Sequence, residues 1–324
     1  MTTIAAALAA AREKLPGFEA RLLLGHVLQQ PSVWLLTHDD GVLDETALQV
    51  FNALITRRHA GEPVAYLLGH REFFGRDFVT APGVLIPRPE TELLVDIALK
   101  KLGAGETTDE PPAQQEGAGQ NPVLFAVDAL QGGRAKNALL AVADGETPTG
   151  TETASNTPQI LDLGTGTGCI AITLALECPQ VRVTAVDASA AALAIAKENA
   201  QQLNATVRFL QSDWYAGVED ETFDLIVSNP PYIAVADTHL AQGDLRFEPP
   251  AALASGADGL DAIRHIIATA PAYLSAQGQL WLEHGYDQAD AVRALLIAAG
   301  FIAIEQHRDL AGIVRVSGGE VNKF

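Results

Sequence analysis

The chain has 324 residues, of which 21 are Lys or Arg and 40 are Asp or Glu, giving a formal charge of −19. At roughly 100–200 residues per domain this length predicts two domains, and a hydrophobic content of 48% argues against wholesale disorder. So acidic a chain repels phosphate backbones, which argues against a nucleic-acid partner and favours a basic protein partner.

Two cysteines, Cys169 and Cys178, are too few for a disulfide framework and fit a reducing compartment. No apolar run reaches the ~18 residues of a membrane span. The Ala-rich start from Met1 carries Arg12, Glu13 and Lys14 without a small-residue cleavage pattern, so it reads as a helix and not a signal peptide. A cytoplasmic protein without membrane contact, acting as a monomer, is expected.

Residues 1–70 read as a helical domain, with helical spacing of apolar residues over Phe18–Leu28 and Asp44–His59. Residues 71–102 read as a hairpin, formed by Arg71–Thr80 and Val84–Ile86 and broken at Pro82-Gly83, followed by a helix from Pro89 to Leu102. Residues 103–158 read as a flexible low-complexity insertion. Its flanks, 103–122 and 143–159, lack Val, Ile, Leu, Met and aromatic residues, so they cannot bury enough apolar surface to offset the entropy of ordering. Between them Val123–Val142 is apolar enough for a short helix or hairpin.

Residues 159–324 alternate short strands with helices. Strands are expected at Ile160–Leu163, Arg182–Asp187, Val207–Leu210, Phe223–Ser228, Gln279–Glu283, Phe301–Gln306 and Ile313–Ser317. Helices are expected at Cys169–Leu176, Ala190–Gln202, Leu260–Tyr273 and Gln288–Ala298. Such repetition predicts an α/β fold, a mostly parallel sheet with helices on both faces, with its ligand at the C-terminal strand ends.

The first of these strands runs into Asp162-Leu163-Gly164-Thr165-Gly166-Thr167-Gly168, a turn tight enough to bring backbone against a ligand. Asp187 ends the second strand, where a carboxylate can accept from both ribose hydroxyls. Gly166, Gly168 and Ala171 also satisfy a dinucleotide fingerprint, so the loop alone leaves NAD or FAD open. After the third strand, Asp213 can accept from an adenine amino group while Trp214 packs on the ring; an ordinary turn acid and a half-buried Trp is the competing reading.

Directly after the fourth strand stands Asn229-Pro230-Pro231-Tyr232. The prolines fix two φ angles and hold Asn229 extended. The stiff edge presents the Asn229 side-chain oxygen and the Pro230 carbonyl as acceptors for both hydrogens of an NH₂ group, with Tyr232 as an aromatic wall. That arrangement suits in-line transfer of an electrophilic carbon to nitrogen, in which positioning and desolvation do most of the work. An Asx-Pro turn without chemistry is the alternative.

Together the glycine loop, Asp187 and Asn229-Pro230-Pro231-Tyr232 resemble the class I S-adenosylmethionine-dependent methyltransferases that modify NH₂ groups. Arg57-Arg58, Gly61-Glu62-Pro63-Val64-Ala65-Tyr66, Arg71-Glu72-Phe73, Leu85-Ile86-Pro87-Arg88-Pro89-Glu90-Thr91-Glu92, Glu248-Pro249, Gly256-Ala257-Asp258-Gly259-Leu260 and Glu283-His284-Gly285 narrow the likeness. They are similar to the release-factor glutamine methyltransferases, the HemK/PrmC family. The resemblance implies a seven-stranded methyltransferase sheet behind a helical substrate-recognition domain. It also implies S-adenosylmethionine as cofactor and the glutamine of the Gly-Gly-Gln loop of class 1 peptide chain release factors as substrate. Gly164, Thr165, Gly166, Thr167, Gly168, Asp187, Asp213, Trp214 and Asn229 would then hold the cofactor. Asn229, Pro230, Pro231 and Tyr232 would hold the substrate amide, with Asn229, Pro230 and Tyr232 as catalytic residues.

The sibling that methylates a ribosomal protein typically carries Pro-Arg-Ser-Pro where this chain has Pro87-Arg88-Pro89-Glu90, which favours a release factor. A nucleic-acid amino-methyltransferase and a noncatalytic recruiting module are the other readings, the first opposed by the charge and the second by the intact tetrapeptide. A nicotinamide oxidoreductase has no use for that tetrapeptide. Arg88, Glu90 and Glu92 read as shaping the domain junction, or, for the acids, as a solvated helix start. Glu248 reads either as a brace for the reacting loop or as a plain loop carboxylate. No metal site is expected, since the eight histidines and two cysteines show neither HExxH nor CxxC spacing.

Overall fold

The computed structural model describes residues 2–103 and 157–323. The insertion expected at 103–158, with its apolar stretch Val123–Val142, lies outside the described residues apart from its ends.

The chain begins with β1 (Thr2–Thr3), α1 (Ile4–Ala11), α2 (Gly17–Leu28), α3 (Trp34–Thr37), β2 (Val42–Leu43), α4 (Glu45–His59) and α5 (Val64–Leu68). The helices start where polar caps stand: Thr3 Oγ1 accepts from Ala6 N at 3.2 Å and Asp44 Oδ1 from Ala47 N at 2.7 Å. Ile4, Leu8, Leu23, Leu24, Leu35, Phe51 and Ile55 form their common core. The pairing of β1 with β2 was not expected, because two residues carry no period-2 signal. Arg58 on α4 donates to both oxygens of buried Glu19, at 2.7 and 3.0 Å, and to Asp244 Oδ1 at 2.9 Å. That guanidinium ties the helical layer to the far side of the site described below.

The hairpin differs from expectation. It joins β3 (His70–Phe73) to β4 (Arg76–Val79) through Phe74-Gly75, both at positive φ, +52° and +73°. A two-residue turn with both residues left-handed matches the twist of the strands it joins. Val84–Ile86 is not a strand, because its polar backbone atoms are taken up elsewhere. Val84 O accepts from the Tyr66 hydroxyl at 2.6 Å, and Ile86 N donates to Glu248 Oε2 at 3.1 Å. A short 3-10 turn, Pro89–Thr91, then leads into α6 (Glu92–Lys101).

The remainder is β5 (Gln159–Leu163), α7 (Cys169–Glu177), β6 (Arg182–Asp187), α8 (Ala190–Gln202), β7 (Arg208–Gln211), β8 (Phe223–Ser228), α9 (Pro250–Leu253), α10 (Asp261–Tyr273), β9 (Leu274–Glu283), α11 (Ala289–Ala298), β10 (Phe301–Arg308) and β11 (Val314–Val321). The strands form the expected seven-stranded sheet, in the order β10-β11-β9-β8-β5-β6-β7. It is parallel from β9 to β7, with β11 and β10 antiparallel at one edge. Successive residues of a strand point to opposite faces. Ile160, Leu225 and Val227 accordingly meet α6 and α7, through Leu94, Val95 and Ile170. Leu161, Leu163 and Ile226 meet α10 and α11, through Ile263, Ile267 and Leu296.

β11 outruns its expected end at Ser317 because Gly318 is a close-approach residue rather than a turn. A Cβ there would stand 2.2 Å from the Leu280 carbonyl oxygen.

Candidate active site

Chain order reverses at β5: β6 and β7 extend the sheet on one side, β8 and β9 on the other. Ligand crevices form at such switch points. In the parallel β5–β8 register Leu163 pairs with Ser228, and Ser228 Oγ donates to Leu163 O at 2.7 Å. The glycine loop and the Asn229 loop therefore leave the sheet side by side.

Gly164, Gly166 and Gly168 have φ of +73°, +57° and +82°, a region that side chains disfavour. The loop is held from β6: Gly164 N and Thr165 N both donate to Val186 O, at 2.9 and 3.0 Å. Asp187 Oδ2 accepts from Gly166 N at 2.9 Å and its Oδ1 from Ser189 N at 2.8 Å. Each of those oxygens keeps a further lone pair for another donor. Thr165 Oγ1 donates to Asp162 Oδ2 at 2.6 Å, and burial pushes the Asp162 carboxyl up to about 7. Asn199, buried on α8, donates to Thr167 O at 2.9 Å while bonding both polar backbone atoms of Val79. It thereby fixes the loop to the hairpin.

A cavity of about 290 Å³ opens over this loop. Among the residues expected at a cofactor or substrate, it is lined by Gly164, Thr165, Gly166, Thr167, Asp187, Asp213, Trp214, Asn229 and Pro231. Gly168 does not line it. That glycine caps α7, where a Cβ would stand 2.8 Å from Ile172 Cδ1 and 3.1 Å from Ala196 Cβ, so its place is helix packing. Trp214 is itself left-handed at φ +50°, held there by Ser212 Oγ donating to its carbonyl at 2.8 Å. Its indole approaches to 3.8 Å from where a Gly164 Cβ would be, which makes a flat wall beside a bare backbone.

The cavity also uses residues to which the sequence assigns no part in holding cofactor or substrate. Val84 and Pro87 line it from the segment after the hairpin, and Ala251 and Ala252 from α9. Thr91 lines it too, and Asn229 Nδ2 donates to Thr91 Oγ1 at 2.9 Å. The Asn229 carbonyl oxygen is left as the free end of that amide. Neither it nor Pro230 O receives a hydrogen bond among the described residues.

A second cavity of about 60 Å³ shares Leu85, Arg88, Asn229 and Ala252 with the first and adds Pro230, Tyr232 and Leu245. Asn229 thus stands on the boundary between the two. Tyr232 is pinned at both ends: its hydroxyl donates to Glu283 Oε1 at 3.2 Å, and its carbonyl accepts from Gln288 Nε2 at 2.9 Å. Burial first, and the Glu283 charge second, push the Tyr232 phenol above its ordinary range, so it stays neutral. Burial likewise pushes Glu283 up to about 7.

Both readings of Glu248 require correction. It is buried, pairs with Arg88 and accepts from Ile86 N, so it anchors the 86–88 wall of the cavities instead of the reacting loop. Arg88 lines both cavities. Glu92 accepts from Phe74 N at 3.0 Å, which joins the start of α6 to the hairpin turn, whereas Glu90 is exposed.

Two family models match the chain, a PrmC N-terminal domain over residues 1–69 and a methyltransferase small domain over residues 150–245. A release factor glutamine methyltransferase of Bordetella pertussis is 47% identical over 306 residues, covering 94% of this chain and 95% of its own length. The chain belongs to the release factor glutamine methyltransferase family. A second such methyltransferase, from Burkholderia pseudomallei, is 45% identical and covers 95% of this chain and 93% of itself. Among solved structures, a release factor-specific protein-(glutamine-N5) methyltransferase from Alicyclobacillus acidocaldarius is 27% identical. It covers 76% of this chain and all of its own, with a TM-score of 0.38. Membership in the release factor glutamine methyltransferases makes this chain a methyl-transferring enzyme and removes the oxidoreductase reading.

Proposed function

We propose that this enzyme moves a methyl group from S-adenosylmethionine to the side-chain amide nitrogen of the glutamine in the Gly-Gly-Gln motif of class 1 peptide chain release factors. The observation that carries the reading is the pair of unpartnered acceptors, Asn229 Oδ1 and Pro230 O, on residues that border the 60 Å³ cavity. Two acceptors side by side take both hydrogens of a primary amide and leave its nitrogen lone pair directed away from them. The names of the family's relatives supply the polypeptide that bears this amide.

The larger cavity suits a nucleoside bearing a cationic group. Asp187 has a lone pair left on each oxygen for a ribose diol, Trp214 offers an aromatic face for adenine, and Asp213 an acceptor for its amino group. Gly164, Thr165, Gly166 and Thr167 offer a backbone surface without large side chains. When bound, S-adenosylmethionine supplies a methyl carbon made electrophilic by its sulfonium.

What the chain contributes is placement. An amide nitrogen is a poor nucleophile because its lone pair is delocalised into the carbonyl. Holding it in line and dry is therefore the main source of rate. Its proton becomes acidic only after the fourth bond to nitrogen forms, so no general base is required beforehand.

Methyl transfer from labelled S-adenosylmethionine to purified release factor tests the reading, with a Gln→Glu change in the Gly-Gly-Gln motif as control. Label on the wild-type factor and none on the changed one is expected. Label on neither, from enzyme that binds the cofactor, contradicts the proposed substrate and redirects the search to ribosomal proteins and RNA.

A further inference from the structure

Two features that carry the family likeness, Arg57-Arg58 and Gly61-Glu62, line neither cavity. Arg57 pairs with its neighbour Glu62. Arg58 reaches further. Its Nε and Nη2 engage both oxygens of Glu19, and its Nη1 donates to Glu62 O at 3.2 Å and to Asp244 Oδ1 at 2.9 Å. A two-pronged pairing of this kind fixes the plane of the guanidinium as well as its position.

Asp244 opens a 3-10 turn over Leu245–Phe247, closed by Phe247 N donating to Asp244 O at 3.0 Å and Glu248 N to Leu245 O at 3.1 Å. Arg246 Nη2 donates to Ala60 O at 2.5 Å, at the C-terminal end of α4, where carbonyls lack helical partners and a cation is favoured. A Cβ on Gly61 would fall 1.7 Å from that nitrogen, so the glycine leaves the space that the guanidinium takes. The residues on both sides of Leu245 are therefore held by the end of α4. Glu248 holds the other end of the turn, at Arg88 and Ile86 N. Leu245 itself lines the smaller cavity, beside Pro230 and Tyr232, and not the larger one.

We propose that the end of α4 positions Leu245 as an apolar wall of the smaller cavity, with Arg58 and the Ala60 carbonyl as the positioning groups and Asp244 and Arg246 as the residues they grip. The proposal rests on the amide-methylating reading given above. In that reading Asn229 Oδ1 and Pro230 O must be free for the substrate NH₂, and a fixed apolar wall keeps water from occupying them. Slack in the wall admits water and loosens the aim of the amide, which costs turnover and leaves cofactor binding alone.

Asp244→Ala is the discriminating change, because Asp244 is partly exposed and its loss leaves the pairing of Arg58 with Glu19 in place. That variant and Arg246→Met are each expected to lower kcat about five- to tenfold, with cofactor Kd within about twofold of wild type. A general loss of structure would move both. Asp244→Asn keeps the Oδ1 acceptor and should hold kcat within about twofold. Leu245→Ala should lower kcat at least about tenfold, and adding Asp244→Ala to it should cost less than about twofold more, because the grip acts through that side chain. A wild-type kcat in Asp244→Ala, a cofactor Kd that rises in step with the loss of kcat, or losses that multiply in the double variant would overturn the proposal.

The methyl ¹³C signals of Leu245, recorded without release factor, give a second readout. They should move in Arg58→Lys, a change on α4 that keeps a charge for Glu19 but lacks the fork that also reaches Asp244, while the glycine-loop amides stay in place. Unchanged Leu245 signals contradict the positioning role whether or not the release factor is the substrate. An unlabelled release factor with wild-type enzyme contradicts only the proposed function.

Discussion

At Asp187 one carboxylate serves the loop and the ligand together, since it accepts from Gly166 N and Ser189 N and still borders the larger cavity. Asp187→Ala removes the acceptors for a ribose and leaves Gly166 N without a partner. We expect cofactor Kd to rise roughly 30-fold, in keeping with about 2 kcal/mol for hydrogen bonds to a charged group, as read by titration calorimetry. Asp162 makes a different prediction. Burial pushes it up to about 7, so the folded state holds its proton more tightly than the unfolded state does. Its favourable contribution is complete below the ordinary carboxylate range and is lost as pH rises through about 7. Relative to Asp162→Asn, the wild type should therefore lose on the order of 3 kcal/mol of stability between pH 4 and pH 8. Urea unfolding of both proteins at the two pH values measures this; parallel pH dependences would contradict it.

At the scale of elements, Gly168 caps the start of α7 and lies against Ala196 of α8. Its φ of +82°, and the 3.1 Å at which an added Cβ would meet Ala196 Cβ on α8, mean that Gly168→Ala strains the backbone and pushes the helices apart. A loss of about 2 kcal/mol is expected, visible as a lower melting temperature with the Asn229 loop intact. Local pattern sufficed for much of the sheet. β6, α8 and β8 run as expected at Arg182–Asp187, Ala190–Gln202 and Phe223–Ser228, because buried strands and capped helices carry their signals within a few residues. The glycine loop, Asp187, Trp214 and Asn229 were legible for the same reason: a tight turn or a Pro-Pro edge is written in adjacent residues. The partners of Thr91, Glu248 and Asn199 are not. Thr91 meets Asn229 across 138 positions, Glu248 meets Arg88 across 160 and Asn199 meets Val79 across 120, and no local period reports such contacts. The hairpin turns before the place the sequence indicates, because Pro82-Gly83 is the stronger written turn signal whereas the observed turn uses a left-handed Phe74.

The whole molecule presents a charge of −19, and Arg58 links its helical layer, through Glu19 and Asp244, to the segment that reaches the smaller cavity at Leu245. A field of that sign accelerates encounter with a basic partner, and salt screens it over a Debye length of about 10 Å at 0.1 M. The association rate with release factor should fall roughly tenfold between low salt and 0.5 M, with a smaller change in dissociation; a flat dependence in stopped-flow measurements would remove the steering role.

In the proposed reaction the Asn229 clamp delivers a glutamine amide of a release factor to the methyl donor. Fragment mass spectrometry of release factor, incubated with S-adenosylmethionine and either wild-type enzyme or Asn229→Ala, tests it most directly. With wild type, one methyl group should appear on the glutamine of the Gly-Gly-Gln motif. With Asn229→Ala its rate of appearance should fall by about 100-fold, the scale on which losing one oriented hydrogen-bonding group costs catalysis. Methylation of that glutamine at the wild-type rate by Asn229→Ala, or a methyl group at any other residue, would contradict the account.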